Sequence, residues 1–186
     1  MKSDTKKEVI EVARHLFGTQ GFKNTTMSDI AQAVGVQKPS LYYFFSSKED
    51  ICVTVLNMVL KEVIEIFRSF SEEVGPEELQ VMIKAVLKKG IKEGGSGMMV
   101  YREMAINADS DLMAETKKLY QTMVRELADV LHRAGVRTPF FAAQVLIDSQ
   151  QMYLIRRECR EKQDSVERYA FKMAQLLIKE DNEHEE

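Results

Sequence analysis

The sequence predicts an all-α fold of about nine helices. Only 9 glycines and 3 prolines interrupt the 186 residues, and the stretches between them repeat apolar residues with the 3.6-residue period of a helix. No stretch sustains the two-residue alternation of a half-buried strand, so no sheet is expected. A chain of this length can bury a substantial hydrophobic core as one or two domains.

The first domain, residues 1–47, is predicted to contain three helices. The first runs from about Ser3 to Thr19 and carries its apolar residues on one face. Thr26 is placed to cap a short second helix, Met27–Val34, which Gly35 ends. A third short helix is expected over about Lys38–Phe45. A longer helix followed by two short helices joined by a tight glycine turn is the helix-turn-helix arrangement.

The second domain, residues 48–186, is predicted to contain the remaining helices. Serine and aspartate are favoured N-caps, and they stand before three of these helices as Ser47, Ser110 and Asp164. Asp164 also has Glu167 three residues later, as in a capping box. The predicted helices span about 48–70, 98–108, 111–133, 139–157 and 164–179, and one more runs from about 76 to a loop at 94–97.

Positive charge is concentrated at the N-terminus, although the chain as a whole has a formal net charge of −3. Residues 1–48 contain seven lysines and arginines against four acidic residues, which is a net charge of +3 and leaves −6 for the remainder. This asymmetry indicates that an anion-binding surface lies in the first domain.

Several other classes of protein are disfavoured. No apolar run approaches the roughly 18–20 residues that cross a bilayer, and the N-terminus lacks the apolar stretch of a signal peptide. A cytoplasmic protein without a membrane partner is therefore expected. The three histidines show no metal-ligand spacing and no catalytic motif is present, so neither an enzyme nor a metal nor a cofactor is expected. Cys52 and Cys159 are interpreted as reduced thiols, with a redox switch or a metal site as the alternatives.

The third helix is expected to expose an unusual set of side chains. With its apolar residues turned to the core, Tyr42 and Tyr43 remain outside together with Lys38 and Ser40. Tyrosine hydroxyls can reach DNA phosphates, and the rings can touch thymine methyl groups. The alternative is that both tyrosines pack on neighbouring helices.

The N-terminal third of the chain resembles the TetR (tetracycline-repressor) family. The resemblance is carried by ARHLFGTQGFKNTTMSDIAQAVGV from Ala13 to Val36 and by KPSLYYFFSSKEDI from Lys38 to Ile51. The sequence departs from the family pattern at Val34, Pro39, Tyr43 and Phe44. The resemblance implies a first domain that binds double-stranded operator DNA and a second that binds a ligand and forms a homodimer.

The resemblance also implies roles for individual residues of the DNA-binding domain. Those at the start of the second helix would touch phosphate, those of the third helix would read bases or the adjacent backbone, and Lys48 would hold a phosphate from the fourth helix. The predicted DNA-binding residues are Thr26, Ser28, Gln37, Lys38, Pro39, Ser40, Tyr42, Tyr43 and Lys48.

Members of this family pair through their last two helices, and the sequence agrees. The predicted helix over 139–157 is apolar on more than one face, so one face can serve the monomer core and the other a partner. The alternative is a helix buried entirely within a monomer. A charge at Leu177, on the apolar side of the last helix, is expected to split or unfold the dimer.

A ligand pocket is expected among the middle helices, where methionine is abundant. Methionine suits adaptable apolar pockets, although ordinary core filling explains the same residues. The predicted ligand-binding residues are Val63, Phe67, Met82, Val86, Tyr101, Met104, Tyr120 and Met123.

The expected function is that of a transcriptional repressor released from a palindromic operator by a small, mostly apolar effector. The fourth helix, which starts at the DNA and passes the expected pocket, would link the two sites. The alternative is a DNA-binding protein of the same fold that is controlled by a protein partner or has no effector.

Overall fold

The computed structural model of the protein describes residues 2–70, 74–92, 114–159 and 161–179. These residues form eight helices and no strand, which confirms the all-α prediction. The helix predicted over 98–108, the loop at 94–97 and the Ser110 cap lie outside the described residues. The helices are α1 (Lys2–Gln20), α2 (Met27–Val34), α3 (Lys38–Tyr42), α4 (Lys48–Arg68), α5 (Pro76–Lys92), α6 (Ala114–Arg133), α7 (Pro139–Glu158) and α8 (Val166–Lys179).

Helix α3 is shorter than predicted, because it ends at Tyr42 rather than at Phe45. The N–H groups of Phe44 and Phe45 both donate to the carbonyl of Leu41, at 2.9 Å each. One carbonyl thus satisfies two N–H groups while the chain turns away from the helix axis. The turn leads directly into the residues that cap α4.

Helix α8 starts later than predicted, because Ser165 rather than Asp164 caps it. The N–H of Arg168 donates to Ser165 Oγ at 3.2 Å, the bond of an N-cap to the third helical residue. Asp164 instead accepts a hydrogen bond from Lys172 Nζ at 2.7 Å, and it lies 3.3 Å from Arg168 Nε. Bonds between ionised groups are stronger than neutral ones, so the two cations hold the Asp164 carboxylate away from the cap position.

The chain divides into two compact units. Within the described residues, the first unit comprises 2–59 and 114–118, and the second comprises 60–70, 74–92, 119–159 and 161–179. In the first unit α1 packs on α2 and α2 packs on α3, whereas in the second α5 packs on α7 and α8. The predicted domain boundary between residues 47 and 48 falls at the start of α4 and stays a prediction.

Each unit has its own hydrophobic core. Helix α3 contributes Leu41, which is fully buried in the first core. Full burial of a leucine contributes about 1.5–3 kcal/mol, so this one side chain helps to anchor a helix of only five residues. The first core consists of Val9, Ala13, Phe17, Met27, Ile30, Ala31, Leu41, Phe45, Ile51, Cys52, Val53, Val55 and Leu56.

Candidate nucleic-acid interface

A capping box starts helix α2. Asp29 N donates to Thr26 Oγ1 at 3.2 Å, while Thr26 N and Thr26 Oγ1 donate to Asp29 Oδ2 at 2.8 and 2.7 Å. These bonds from Thr26, above all that from its hydroxyl, lower the pKa of the Asp29 carboxyl below its ordinary value. The predicted cap is confirmed. The Thr26 hydroxyl donates to Asp29, whereas Ser28, two residues further on, is exposed.

Gly35 makes the turn between the two short helices. Its φ is +79°, in the left-handed region where residues with a Cβ are strained. Gly35 N donates to Gln32 O at 3.1 Å, and Val36 N donates to Ala31 O at 3.0 Å. These bonds satisfy the last carbonyls of α2 and direct the chain into α3 within two residues.

Helix α3 exposes the side chains that were predicted to read DNA. Gln37 is its extended N-cap, and a proline stands in the first turn, where a helical N–H has no partner. Tyr42 is 51% exposed and Tyr43 is 69% exposed, so neither tyrosine is buried against a neighbouring helix. The ring of Tyr43 meets Phe44 edge-on with 5.1 Å between the centroids. The exposed set is Gln37, Lys38, Pro39, Ser40, Tyr42 and Tyr43.

Helix α4 follows α3 in the chain and begins with a well-defined cap. Asp50 N donates to Ser47 Oγ at 3.1 Å, as predicted. The Asp50 carboxylate accepts hydrogen bonds from the N–H and the hydroxyl of Ser46, at 2.9 and 3.1 Å. These bonds hold the chain rigidly where it passes from α3 to α4.

Lys48 connects the start of α4 to the loop between α1 and α2. Its Nζ donates to the carbonyl of Phe22 at 2.8 Å and lies 4.1 Å from the centroid of the Phe22 ring. An ammonium group has three donors, so this bond leaves capacity for a phosphate. The sequence did not predict this contact, because a carbonyl 26 positions away gives no local signal.

The predicted ligand-binding residues that the structure describes all lie in the core region of the second unit. Phe67, Met82 and Met123 are buried, at 2%, 1% and 4% exposure, and Val63, Val86 and Tyr120 pack partly buried against the same cluster. Tyr101 and Met104 lie outside the described residues. The structure thus brings six of the eight predicted residues into one apolar cluster.

Helices α7 and α8 carry most of the exposed apolar surface of the second unit. We call this surface the α7/α8 face and define it by Phe140, Phe141, Val145 and Met152 of α7 and Phe171 and Leu176 of α8, all between 39% and 66% exposed. Leu177 is only 9% exposed and belongs to the core. Of the two outcomes expected for a charge at Leu177, unfolding is therefore favoured over splitting a dimer, because Leu177 supports the fold of the unit itself, whereas Leu176 is exposed.

A cleft of about 890 Å³ lies between α7 and the start of α8. Two tyrosines in its wall are fixed by hydrogen bonds, since Tyr153 OH donates to the carbonyl of Asp164 at 3.0 Å and Tyr169 OH donates to Ser149 Oγ at 2.8 Å. Arg156, Lys162 and Arg168 also line it. None of the lining residues was predicted from the sequence to bind a ligand, because the cleft depends on how two helices and their connection pack.

Three further findings concern other kinds of site. Within the described ranges, no group of three or more His, Cys, Asp or Glu is arranged to hold a metal ion. Likewise, no helix in the described part of the chain is long and apolar enough to cross a membrane. Cys52 is buried and Cys159 is exposed, and neither forms a disulfide.

A capped short helix, a left-handed glycine turn and a second short helix with an exposed outer face define a helix-turn-helix protein. Residues 9–54 match the family described as "Bacterial regulatory proteins, tetR family". The N-terminal part of the chain is therefore similar to TetR-family regulatory proteins. All nine predicted DNA-binding residues lie within this matched segment.

Two relatives are similar to the same part of the chain. The HTH-type transcriptional regulator RutR of Escherichia coli K12 is 34% identical over 74 residues, which is 40% of this chain and 35% of RutR. The HTH-type transcriptional repressor KstR2 of Rhodococcus jostii RHA1 is 36% identical over 67 residues, 36% of this chain and 33% of KstR2. The chain thus spans about a third of the length of these curated relatives.

The fold of most of the chain is similar to those of solved transcriptional regulators. One example is the transcriptional regulator FadR from Bacillus subtilis, solved in complex with stearoyl-CoA. Its TM-score is 0.69 at 15% sequence identity, over 92% of this chain and 97% of that chain. At this identity the likeness concerns the fold alone.

Proposed function

We propose that the protein is a transcriptional regulator that binds a palindromic operator as a homodimer and is released by a small, mostly apolar effector. The observation that carries this proposal is the outer face of α3. Its side chains are exposed on a helix that is anchored by a fully buried Leu41, and two of them are tyrosines. Surface tyrosines placed together in this way suit a major-groove contact.

The hydrogen bonds at the starts of α2 and α4 suggest which groups bind phosphate and which residue stabilises the helix end. The Thr26 hydroxyl is committed to Asp29, so we expect Ser28 and the N-terminal N–H groups of α2 to bind the phosphate and Thr26 to hold the helix end. Lys48 would add a charge-assisted bond through its remaining donors.

The homodimer is supported by the α7/α8 face. Monomeric proteins rarely expose a contiguous set of large apolar side chains, whereas interfaces require one. Helix α7 buries Ala143 and Leu146 in its own unit and exposes Phe141 and Val145. A two-fold dimer would present two α3 helices to successive major grooves, about 34–36 Å apart on the DNA.

An effector site in the second unit is supported by its methionine-containing core. Met82 and Met123 lie in one cluster with Phe67, and methionine side chains repack readily around a ligand. The FadR structure was solved with an acyl-CoA, a ligand with a long apolar part. Because α4 contains both Lys48 and Phe67, it is the element through which we expect the effector to weaken DNA binding, and DNA must then weaken the effector by the same factor.

The test is selection of bound DNA from a random pool by the full chain, followed by titration of the selected site against lipophilic compounds. Enrichment of a palindrome supports the operator, and a compound that lowers operator affinity supports the effector. Recovery of bound DNA in which no sequence is enriched would overturn the proposal. An operator that no compound affects would favour the alternative, control by a protein partner or no effector at all.

A further inference from the structure

A buried hydrogen bond inside the first unit joins two helices that are distant in sequence. Thr116 Oγ1, in the first turn of α6, donates to Asn57 Oδ1 of α4 at 2.8 Å, 59 positions away. Thr116 has no exposed surface, and Asn57 is 8% exposed. Thr25, which is also buried, differs because it donates locally, to the carbonyl of Gly21.

Asn57 interrupts an otherwise apolar stripe along α4. Positions 53, 57, 60, 64 and 67 repeat at alternating intervals of four and three residues, and all five side chains are buried. The other four are Val53, Leu60, Ile64 and Phe67. An apolar residue at position 57 would complete the packing pattern of the helix, so the amide is not needed for burial.

A polar pair in such a stripe distinguishes one helix register from its neighbours. Apolar side chains pack acceptably after a small sliding or rotation of one helix, whereas a hydrogen bond is lost beyond about 3.5 Å. The lost bond would leave a buried amide and a buried hydroxyl without partners, which is costly in an apolar surrounding. The bond between Asn57 and Thr116 therefore favours a single position of α4 against the start of α6.

Helix α4 connects this hydrogen bond to the proposed DNA-binding surface. Asn57 lies nine residues after Lys48 on one continuous helix, which is about 13 Å along its axis. Ile51 and Val53, between them, are buried in the same core as Leu41 of α3. A change in the register of α4 would therefore reach the support of α3 through packed side chains.

We propose that Asn57 is a positioning residue for DNA binding, and that its bond to Thr116 holds α4 in the register in which α3 is presented to the operator. The inference rests on the proposed function and adds that this hydrogen bond controls operator affinity. Loss of the bond would lower the population of the register that binds the operator, without removing any side chain that touches DNA.

The experiment compares four variants of the full chain with the wild type. Thr116→Val removes the hydroxyl at nearly constant shape, and Thr116→Ser retains it. Asn57→Leu combined with Thr116→Val replaces both polar groups by apolar ones, which restores packing without a directional bond. Ile83→Val, in the core of the second unit, is a control for a general loss of stability. Urea unfolding, affinity for the selected operator and affinity for random DNA are measured for each.

We expect Thr116→Val and the double variant to lose at least about fivefold in operator affinity, the lower end of typical coupling between sites. Their affinity for random DNA, and the operator affinity of Thr116→Ser and Ile83→Val, should remain at wild-type values. A double variant that is as stable as the wild type and binds the operator equally well or better would overturn the inference and leave the proposed function intact. A wild-type chain that does not distinguish operator from random DNA would overturn the proposed function, and this inference with it.

Discussion

Two regions of the described part of the chain each expose several large side chains, and the two differ in chemistry. Helix α3 exposes Tyr42 and Tyr43, whose rings carry hydroxyl groups, whereas the α7/α8 face exposes phenylalanine, valine, leucine and methionine. A hydroxyl on a ring suits a surface that is wet and hydrogen-bonded when it binds, as protein–DNA interfaces are. Purely apolar side chains suit a surface from which a partner excludes water.

The two regions also differ in how they are supported. Helix α3 has five residues and is held by the buried Leu41, by the Gly35 turn before it and by the Ser47 cap of α4 after it. Helix α7 has twenty residues and is apolar on two sides, one of which is buried in its own unit. A short helix that is held on both sides can present a few side chains in fixed positions, whereas a long helix can bury a large contact area against a partner. The comparison predicts that the two surfaces can be disabled independently of each other.

The largest effect is expected from a charge on the α7/α8 face. Val145→Glu should convert the dimer to a monomer and lower operator affinity by about a hundredfold, because two linked half-site contacts become one. Val81→Glu is the matched control, since Val81 is 57% exposed on α5 and lies outside this face. Sedimentation and operator binding measure both variants. A wild-type chain that sediments as a monomer at micromolar concentration would refute the assignment of the α7/α8 face to a dimer interface.

A loss of about tenfold or more is expected from the double variant Tyr42→Ala, Tyr43→Ala, since each lost base contact costs about 1–3 kcal/mol. Both rings are more than half exposed, so the unfolding midpoint and the dimer should be unaffected. Tyr42→Phe and Tyr43→Phe separate the hydroxyls from the rings. Unchanged operator affinity in the alanine variant would remove α3 from the DNA interface.

Within the second unit, Gly90→Ala should destabilise the fold without touching either surface. A Cβ at this position would lie 2.8 Å from Leu154 Cδ1; overpacking of this kind costs about 1–3 kcal/mol, of which the better helix propensity of alanine offsets up to about 1 kcal/mol. Leu154→Val in the same chain should recover part of the loss by making room. Urea unfolding measures the effect, and an unchanged midpoint in Gly90→Ala would show that α5 and α7 can separate at little cost.

Lys48→Ala should weaken binding to all DNA sequences alike. It should also reduce the slope of log affinity against log salt by about one unit, since one phosphate contact is lost. Loss of the bond to Phe22 should lower stability slightly at the same time. Lys162→Ala, an exposed lysine of the second unit, should leave the salt slope unchanged. Equal slopes for the wild type and Lys48→Ala would mean that Lys48 serves only the contact with Phe22.

The smallest effect concerns pH and the cap of α2. The pKa of Asp29 is lower in the folded protein than in the unfolded chain, so its contribution to stability is present above the unfolded pKa of about 3.9 and is lost as the pH falls through the folded pKa. Asp29→Asn should therefore flatten the decline in stability of the first unit on the acid side of pH 4. Parallel acid unfolding curves for the wild type and the variant would contradict this assignment.

The elements whose signals are local were predicted closely. The Thr26 and Ser47 caps each depend on a residue three positions further along the chain, and the Gly35 turn depends on the glycine itself; all three were predicted from the sequence. The same logic failed by one residue at α8, where Asp164 and Ser165 are both acceptable caps. A cation one or two turns further along decides between them, and spacing rules for caps do not include it.

The sequence by itself determined the helical class and the helix-turn-helix, because helix periods, caps and glycine turns act over a few residues, whereas exposure of Tyr42 and Tyr43 was one of two alternatives that the structure resolved. The tertiary structure decided which of two adjacent leucines, Leu176 or Leu177, faces outward, and it decided that Lys48 binds the carbonyl of Phe22. It also placed Asn57 opposite Thr116. These choices depend on contacts between residues far apart in the chain, and a local pattern carries no information about which distant group will satisfy a buried amide or a lysine.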